Sequence, residues 1–151
     1  MHGHRHHPSD SRTRIRLPRV LVVDDEPNIL DALTCALSDE FLVEGTTDPH
    51  EALHVLLSGR TYDVVLCDVV MAHLDGLDLR DRLHALAPEV AARLVFMTGG
   101  VPDERARARL DRIPNPCLAK PMSMAELRAF LRAFVGVEAP ATTDARGRRH
   151  A

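Results

Sequence analysis

The sequence predicts an α/β protein with a doubly wound, five-stranded parallel sheet of order 2-1-3-4-5, and three observations lead there. Five short apolar runs alternate strictly with stretches of helical periodicity, the pattern of strand–helix units whose strands lie parallel. Three of the runs, Val20–Val23, Val64–Cys67 and Leu94–Met97, are continuously apolar and rich in branched residues, as strands covered on both faces are. Polar residues follow or close four of the runs: Asp24-Asp25, Asp68, Thr98 and Lys120. In the order 2-1-3-4-5 the strands that carry them are consecutive neighbours. Their carboxyl ends form the edge where open parallel sheets bind ligands.

The elements follow in chain order. Val20–Val23 leads into a helix from Pro27 to Ser38 with Ile29, Leu30, Leu33 and Leu37 on one face. Phe41–Val43 is followed by Glu44, Gly45 and two threonines, which suits an edge strand. Asp48-Pro49-His50-Glu51 supplies an N-cap, a proline at the first helical position and a glutamate at the third. That helix carries Leu53, Leu56 and Leu57 and stops at Gly59. After Val64–Cys67 a helix is expected from about Asp75 to Leu86, with Asp75-Gly76 as its opening turn. The helix from Asp103 to Arg112 is rich in Ala and Arg with little apolar surface beyond Leu110, so it should be held loosely. The short run Cys117–Ala119 precedes a last helix, opened by the capping box Ser123-Met124-Ala125-Glu126 and burying Leu127, Phe130, Leu131 and Phe134.

At 151 residues the chain suits one domain with a real core. We divide it into a disordered, basic, histidine-rich arm (1–18), a folded domain (19–135) and a second loose tail (136–151). His2, His4, His6 and His7 read as an unstructured tail rather than a metal site, and Arg12, Arg14, Arg16 and Arg19 as a solvated stretch. Residues 20–137 hold 11 basic and 19 acidic residues, a net −8, while the ends hold 8 and 3, a net +5. So acidic a body is a poor candidate for direct nucleic-acid binding. No apolar stretch approaches the roughly 20 residues of a membrane span, and no secretory signal opens the chain. Cys35, Cys67 and Cys117 are too dispersed for a metal or disulfide framework. A reduced, cytoplasmic setting is the expectation. Cys35 and Cys67 read as buried packing residues, and Cys117 shows no feature that would stabilise a thiolate.

Of nineteen basic residues eighteen are arginine, and the one lysine is Lys120, between an apolar run and Pro121. A compact ammonium has been kept where a planar guanidinium would not substitute. With Asp24, Asp25, Asp68 and Thr98 converging on the same edge, the residues suggest a carboxylate site that takes a phosphoryl group. Capping would account for Asp25 ahead of Pro27, but not for Asp68 together with the lone lysine.

The segments Leu21-Val22-Val23-Asp24-Asp25-Glu26-Pro27-Asn28, Val64-Val65-Leu66-Cys67-Asp68, Leu74-Asp75-Gly76, Phe96-Met97-Thr98-Gly99 and Leu118-Ala119-Lys120-Pro121 resemble a response-regulator receiver domain of two-component signalling. The resemblance covers roughly residues 19–135 and implies the flavodoxin-like receiver fold. It implies Asp68 as the phosphoacceptor, attacking a phosphohistidine to form an acyl phosphate. It implies Mg²⁺ bound by Asp25, Asp68 and the Val70 backbone carbonyl, with Asp24 helping through water. Lys120 and the Thr98 hydroxyl would hold phosphoryl oxygens, and the Lys120–Pro121 peptide would be cis. The implied partners are a sensor histidine kinase or histidine phosphotransfer protein and a downstream protein target. The expected state is a monomer or a weak phosphorylation-dependent dimer. No separate substrate turnover is expected. With nothing after Val137 long enough for an output domain, the chain reads as a single-domain regulator. The alternative is a phosphorylation-independent interaction module.

The chain departs from the family at two places. Met71-Ala72 stands where Met-Pro is common, so the loop should lose stiffness. Cys117 stands where many receivers carry the aromatic switch residue, and a small thiol cannot make the same movement. Output would then work through backbone and helix shifts, for which Gly99-Gly100 is pliant enough. Val70 offers no polar group to orient an attacking water, so the acyl phosphate should be long-lived.

Overall fold

The computed structural model describes residues 16–100 and 103–137. Its elements are β1 (Arg19–Val23), α1 (Pro27–Leu37), β2 (Leu42–Thr46), α2 (Pro49–Leu57), β3 (Val64–Asp68), α3 (Gly76–Leu86), a short α4 (Pro88–Ala91), β4 (Leu94–Gly99), α5 (Glu104–Asp111), β5 (Cys117–Lys120) and α6 (Met124–Val135). The strands pair in parallel in the order β2-β1-β3-β4-β5, as the alternation predicts. The expectations for the histidine cluster, for Arg12 and Arg14, and for the tail from residue 138 onward lie outside the described residues.

Successive strand residues face opposite sides of the sheet, so the continuous apolar runs supply two cores at once. On one face Val20, Val22, Val64, Leu66 and Val95 meet Leu33 and Leu37 of α1 and Leu127 and Leu131 of α6. On the other, Leu21, Val23, Val65 and Phe96 meet Ala52 and Leu56 of α2 and Leu77, Leu79 and Leu83 of α3. Each such buried side chain contributes about 1.5–3 kcal/mol. That burial makes the sheet rigid enough to hold polar groups fixed at its rim.

The helix caps follow the sequence signals. Asp48, Asp75, Asp103 and Ser123 each accept a first-turn backbone N–H, and Ser123 with Glu126 completes the capping box. Helix α5 buries no residue, in keeping with its Ala/Arg composition. The edge strand β2 runs three residues further than its apolar run, through Glu44, Gly45 and Thr46. Leu30 of α1 lies close over Gly45: a Cβ there would stand 2.6 Å from Leu30 Cδ1, so that side chain would have to shift.

Several expectations need correction. A separate short helix, α4, restarts at Pro88 after α3 ends, proline being at home in a first helical turn. Cys35 is exposed rather than packed. Phe130 and Phe134 are half-buried, stacked on each other at 6.2 Å rather than sunk in the core. Arg16 and Arg19 are not free in solvent: Arg16 pairs with Asp63 at 3.1 Å and Arg19 with Glu44 at 3.0 Å.

Candidate functional site

The carboxyl ends of β1, β3, β4 and β5 bring Asp24, Asp25, Asp68, Thr98 and Lys120 to one rim, as expected. One carboxylate oxygen from each of Asp24, Asp25 and Asp68 lies within 4.8 Å of the others. The Lys120 ammonium stands 3.6 Å from Asp24 Oδ2 and 3.7 Å from Asp68 Oδ2. Thr98 is buried on β4, one residue beyond Met97, the register partner of Asp68, and is itself paired with Ala119 of β5. The Lys120–Pro121 peptide is cis.

Each carboxylate is held differently. Asp24 is fully buried; its backbone N–H donates to the Thr46 carbonyl, and its Oδ1 accepts the Glu26 N–H at 3.0 Å. Its Oδ2 is buried with no hydrogen-bond partner and faces the Lys120 ammonium at 3.6 Å, an arrangement that costs free energy unless a closer cation or donor answers it. Asp25 does not cap α1. Glu26 occupies the N-cap position without a side-chain bond, and Asp25 Oδ2 instead accepts the Ala72 N–H at 3.1 Å. Ala72 therefore does not simply loosen its loop: its amide ties the β3–α3 loop to the β1–α1 loop, a bond that proline could not donate.

Burial pushes the Asp68 carboxyl above the usual carboxylate range; Lys120 opposes this, Asp24 adds to it, the Val70 N–H opposes it and Asp25 adds to it again. A raised value in the folded state means that ionising Asp68 costs stability. The cost is absent below the unfolded value, builds as pH rises towards the folded value, and is in full force above it. Three crowded carboxylates with one ammonium thus leave negative charge uncompensated. Oxygen donors at this spacing, with an orphaned buried oxygen among them, fit a hard divalent cation.

Val70 stands at the rim two residues after Asp68, with 70% of its surface exposed and no polar side-chain atom. Cys117 opens β5 and is exposed, opposite Phe96 in the register. Partial burial raises the Cys117 thiol, and burial followed by the Asp68 and Asp24 charges raises that of Cys67, so neither is a ready thiolate.

Gly76 has a closer role than its Asp75-Gly76 turn suggests. Its N–H donates to the Val69 carbonyl at 2.9 Å, and a Cβ at Gly76 would lie 2.3 Å from the Asp68 carbonyl oxygen. The α3 N-terminus rests directly on the backbone of Asp68. Glycine after a run of loop residues was the available signal, but only the fold shows what it touches.

The sheet order and rim define the flavodoxin-like class of doubly wound α/β domains. Residues 20–132 match the family described as the response regulator receiver domain. The chain is 35% identical over 118 residues to response regulator MprA of Mycolicibacterium vanbaalenii, covering 78% of this chain and 50% of that protein. It is 32% identical over 128 residues to the transcriptional regulatory protein TcrA of Mycobacterium tuberculosis, covering 84% and 49%. It thus spans about half the length of the curated relatives it matches. In fold it is similar to a response regulator receiver domain protein of Clostridium thermocellum, with TM-score 0.70, 24% identity and coverage of 80% and 95%. The chain belongs to the response regulator receiver domain family of two-component signalling.

Proposed function

We propose that Asp68 is the phosphoacceptor of this receiver domain, taking its phosphoryl group from a sensor histidine kinase or a histidine phosphotransfer protein. An Asp68 oxygen attacks phosphorus, the P–O bond forms as the P–N bond breaks, and the donor imidazole keeps the electron pair and takes up a proton. Asp25, Asp68 and the Val70 carbonyl would hold Mg²⁺, with Asp24 assisting through water. Bound there, Mg²⁺ would offset the negative charge that carboxylates and phosphoryl oxygens bring together. Lys120 steadies one phosphoryl oxygen and the Thr98 hydroxyl another. The observation that carries the reading is the chain's one lysine beside both Asp24 and Asp68, with a buried Asp24 oxygen left without a hydrogen bond.

In this reading the working unit is residues 19–135, and it signals to a protein partner within a phosphorelay by a shift between two conformations. A cytoplasmic setting belongs to the same reading; among the described residues no helix is long and apolar enough to cross a membrane. Exposed Val70 gives no group to orient water, so the acyl phosphate should outlast many seconds without a phosphatase, and its loss within seconds would speak against that.

Incubation with acetyl phosphate and Mg²⁺ tests the acceptor directly. Intact mass should show one added phosphoryl group in the wild type and none in Asp68→Asn. The exposed thiol of Cys117, in place of an aromatic switch, favours a second reading, a phosphorylation-independent interaction module. An unmodified wild-type mass would select it.

A further inference from the structure

We propose that Arg109 is an electrostatic latch that holds α5 against α3 at rest, and that Asp68 releases it through the Asp75–Gly76 turn. The coupling half rests on the reading of Asp68 as phosphoacceptor. The holding half rests on geometry alone.

The Arg109 guanidinium serves three carboxylates of α3. Nη2 lies 3.0 Å from Asp78 Oδ1 and 2.9 Å from Asp81 Oδ2, and Nη1 lies 3.8 Å from Asp75 Oδ2. Those three aspartates are spaced three apart and so share one side of the helix. Without the guanidinium they would repel one another. The apolar anchoring is small: α5 buries no residue, and Ala106 and Leu110, with Ile113 just beyond the helix, pack only partly against the core. Arg109 also lines both cavities along the α3–α5 seam, of about 380 Å³ towards Val70 and about 170 Å³ towards Ile113. Helix α5 thus borders open space and is held by charge beside a small apolar contact.

The tie leads back to the phosphoacceptor. Asp75 is both an arm of the latch and the N-cap of α3, its Oδ1 accepting the Asp78 N–H at 2.7 Å. The next residue, Gly76, abuts the Asp68 carbonyl. A shift of the Asp68 backbone on phosphorylation is passed to Gly76, tilts the Asp75 cap and strains the Arg109 fan. Ion pairs this exposed are weak and salt-screened, which suits a contact that must open. The route bypasses position 117, where a thiol replaces an aromatic ring.

Amide hydrogen exchange on the full chain tests both halves, with Mg²⁺ and beryllofluoride as the phosphoryl mimic. In Arg109→Gln without ligand, exchange in residues 104–111 should rise roughly tenfold while β1 and β3 keep their protection. Arg109→Lys, with charge but no fork, should fall between. Raising salt to about 1 M should loosen α5 in the wild type and not in Arg109→Gln. The mimic should bring wild-type α5 to the Arg109→Gln level and protect residues 68–74 in both. Unchanged α5 exchange in Arg109→Gln overturns the latch. Protection of 68–74 with no change in wild-type α5 overturns the coupling and leaves the phosphoacceptor reading standing. No response at 68–74 overturns that reading and the coupling with it, while the salt and variant arms still decide the latch.

Discussion

Charge is arranged in opposite ways at the two ends of this sheet. About the amino ends of β1 and β3, acidic groups are answered by arginines: Arg16 holds Asp63, Arg19 and Arg60 hold Glu44, and the buried Tyr62 hydroxyl donates to Glu44. Arg19 also lies over the Tyr62 ring, and Arg93 donates to the Tyr62 carbonyl. At the carboxyl ends, three carboxylates share one ammonium, and a buried Asp24 oxygen has no hydrogen bond. The Tyr62 hydroxyl, followed after opposing burial by Arg19 and Arg60, lowers the Glu44 carboxyl, whereas Asp68 is raised. One end gains stability from its charges. The other gives stability up to keep a site ready for ligand.

The contrast can be broken at several points. Gly76→Ala should have the largest effect, because its Cβ meets backbone 2.3 Å away that has no flexible end to yield. A cost of about 1–3 kcal/mol in urea unfolding is expected, with slower phosphorylation by acetyl phosphate; a neutral result would mean that the rim is looser than the geometry implies.

Tyr62→Phe should cost about 1–2 kcal/mol at neutral pH, and its pH dependence sharpens the comparison. The lowered Glu44 contributes stability that is fully present above its unfolded value and is lost as pH falls through its folded value. The gap between wild type and Tyr62→Phe in denaturation midpoint should therefore narrow on acidification. A gap constant with pH would remove Glu44 from the account. Ala72→Pro should have the smallest effect. It deletes one N–H to Asp25, so Mg²⁺ affinity by calorimetry should rise roughly two- to fivefold, as loss of a net ~0.5–1 kcal/mol bond allows. Ala72→Gly, which keeps the N–H, should shift it less, and equal shifts in both variants would refute the tether.

Much of this was legible in the sequence because it is periodic or composition-driven. Continuous branched runs marked which strands are interior, their strict alternation with helices implied a parallel, doubly wound sheet for which 2-1-3-4-5 was the leading order, and polar residues ending those runs located the rim. The lone lysine among arginines marked the site's cation. What stayed hidden depends on contacts between distant segments. The Ala72 amide meets Asp25 across 47 residues, Gly76 meets the Asp68 carbonyl, and Arg109 reaches three aspartates of α3. Asn115, buried between Pro114 and Pro116, donates to the Ala91 and Leu94 carbonyls and accepts from Arg80, an anchor for β4 that its local sequence does not announce. Cys35 was misplaced because its burial was inferred from residue type, whereas it lies off the apolar face of α1 that Leu33 and Leu37 bury.

The most direct test of the crowded rim is a thermal-unfolding titration with Mg²⁺, run in parallel on wild type and Asp25→Asn. The wild type should gain stability with the logarithm of Mg²⁺ concentration above the dissociation constant, reaching about 2.7 kcal/mol at a hundred times that constant, and Asp25→Asn should not. A flat wild-type curve, or the same gain in both proteins, would contradict the account.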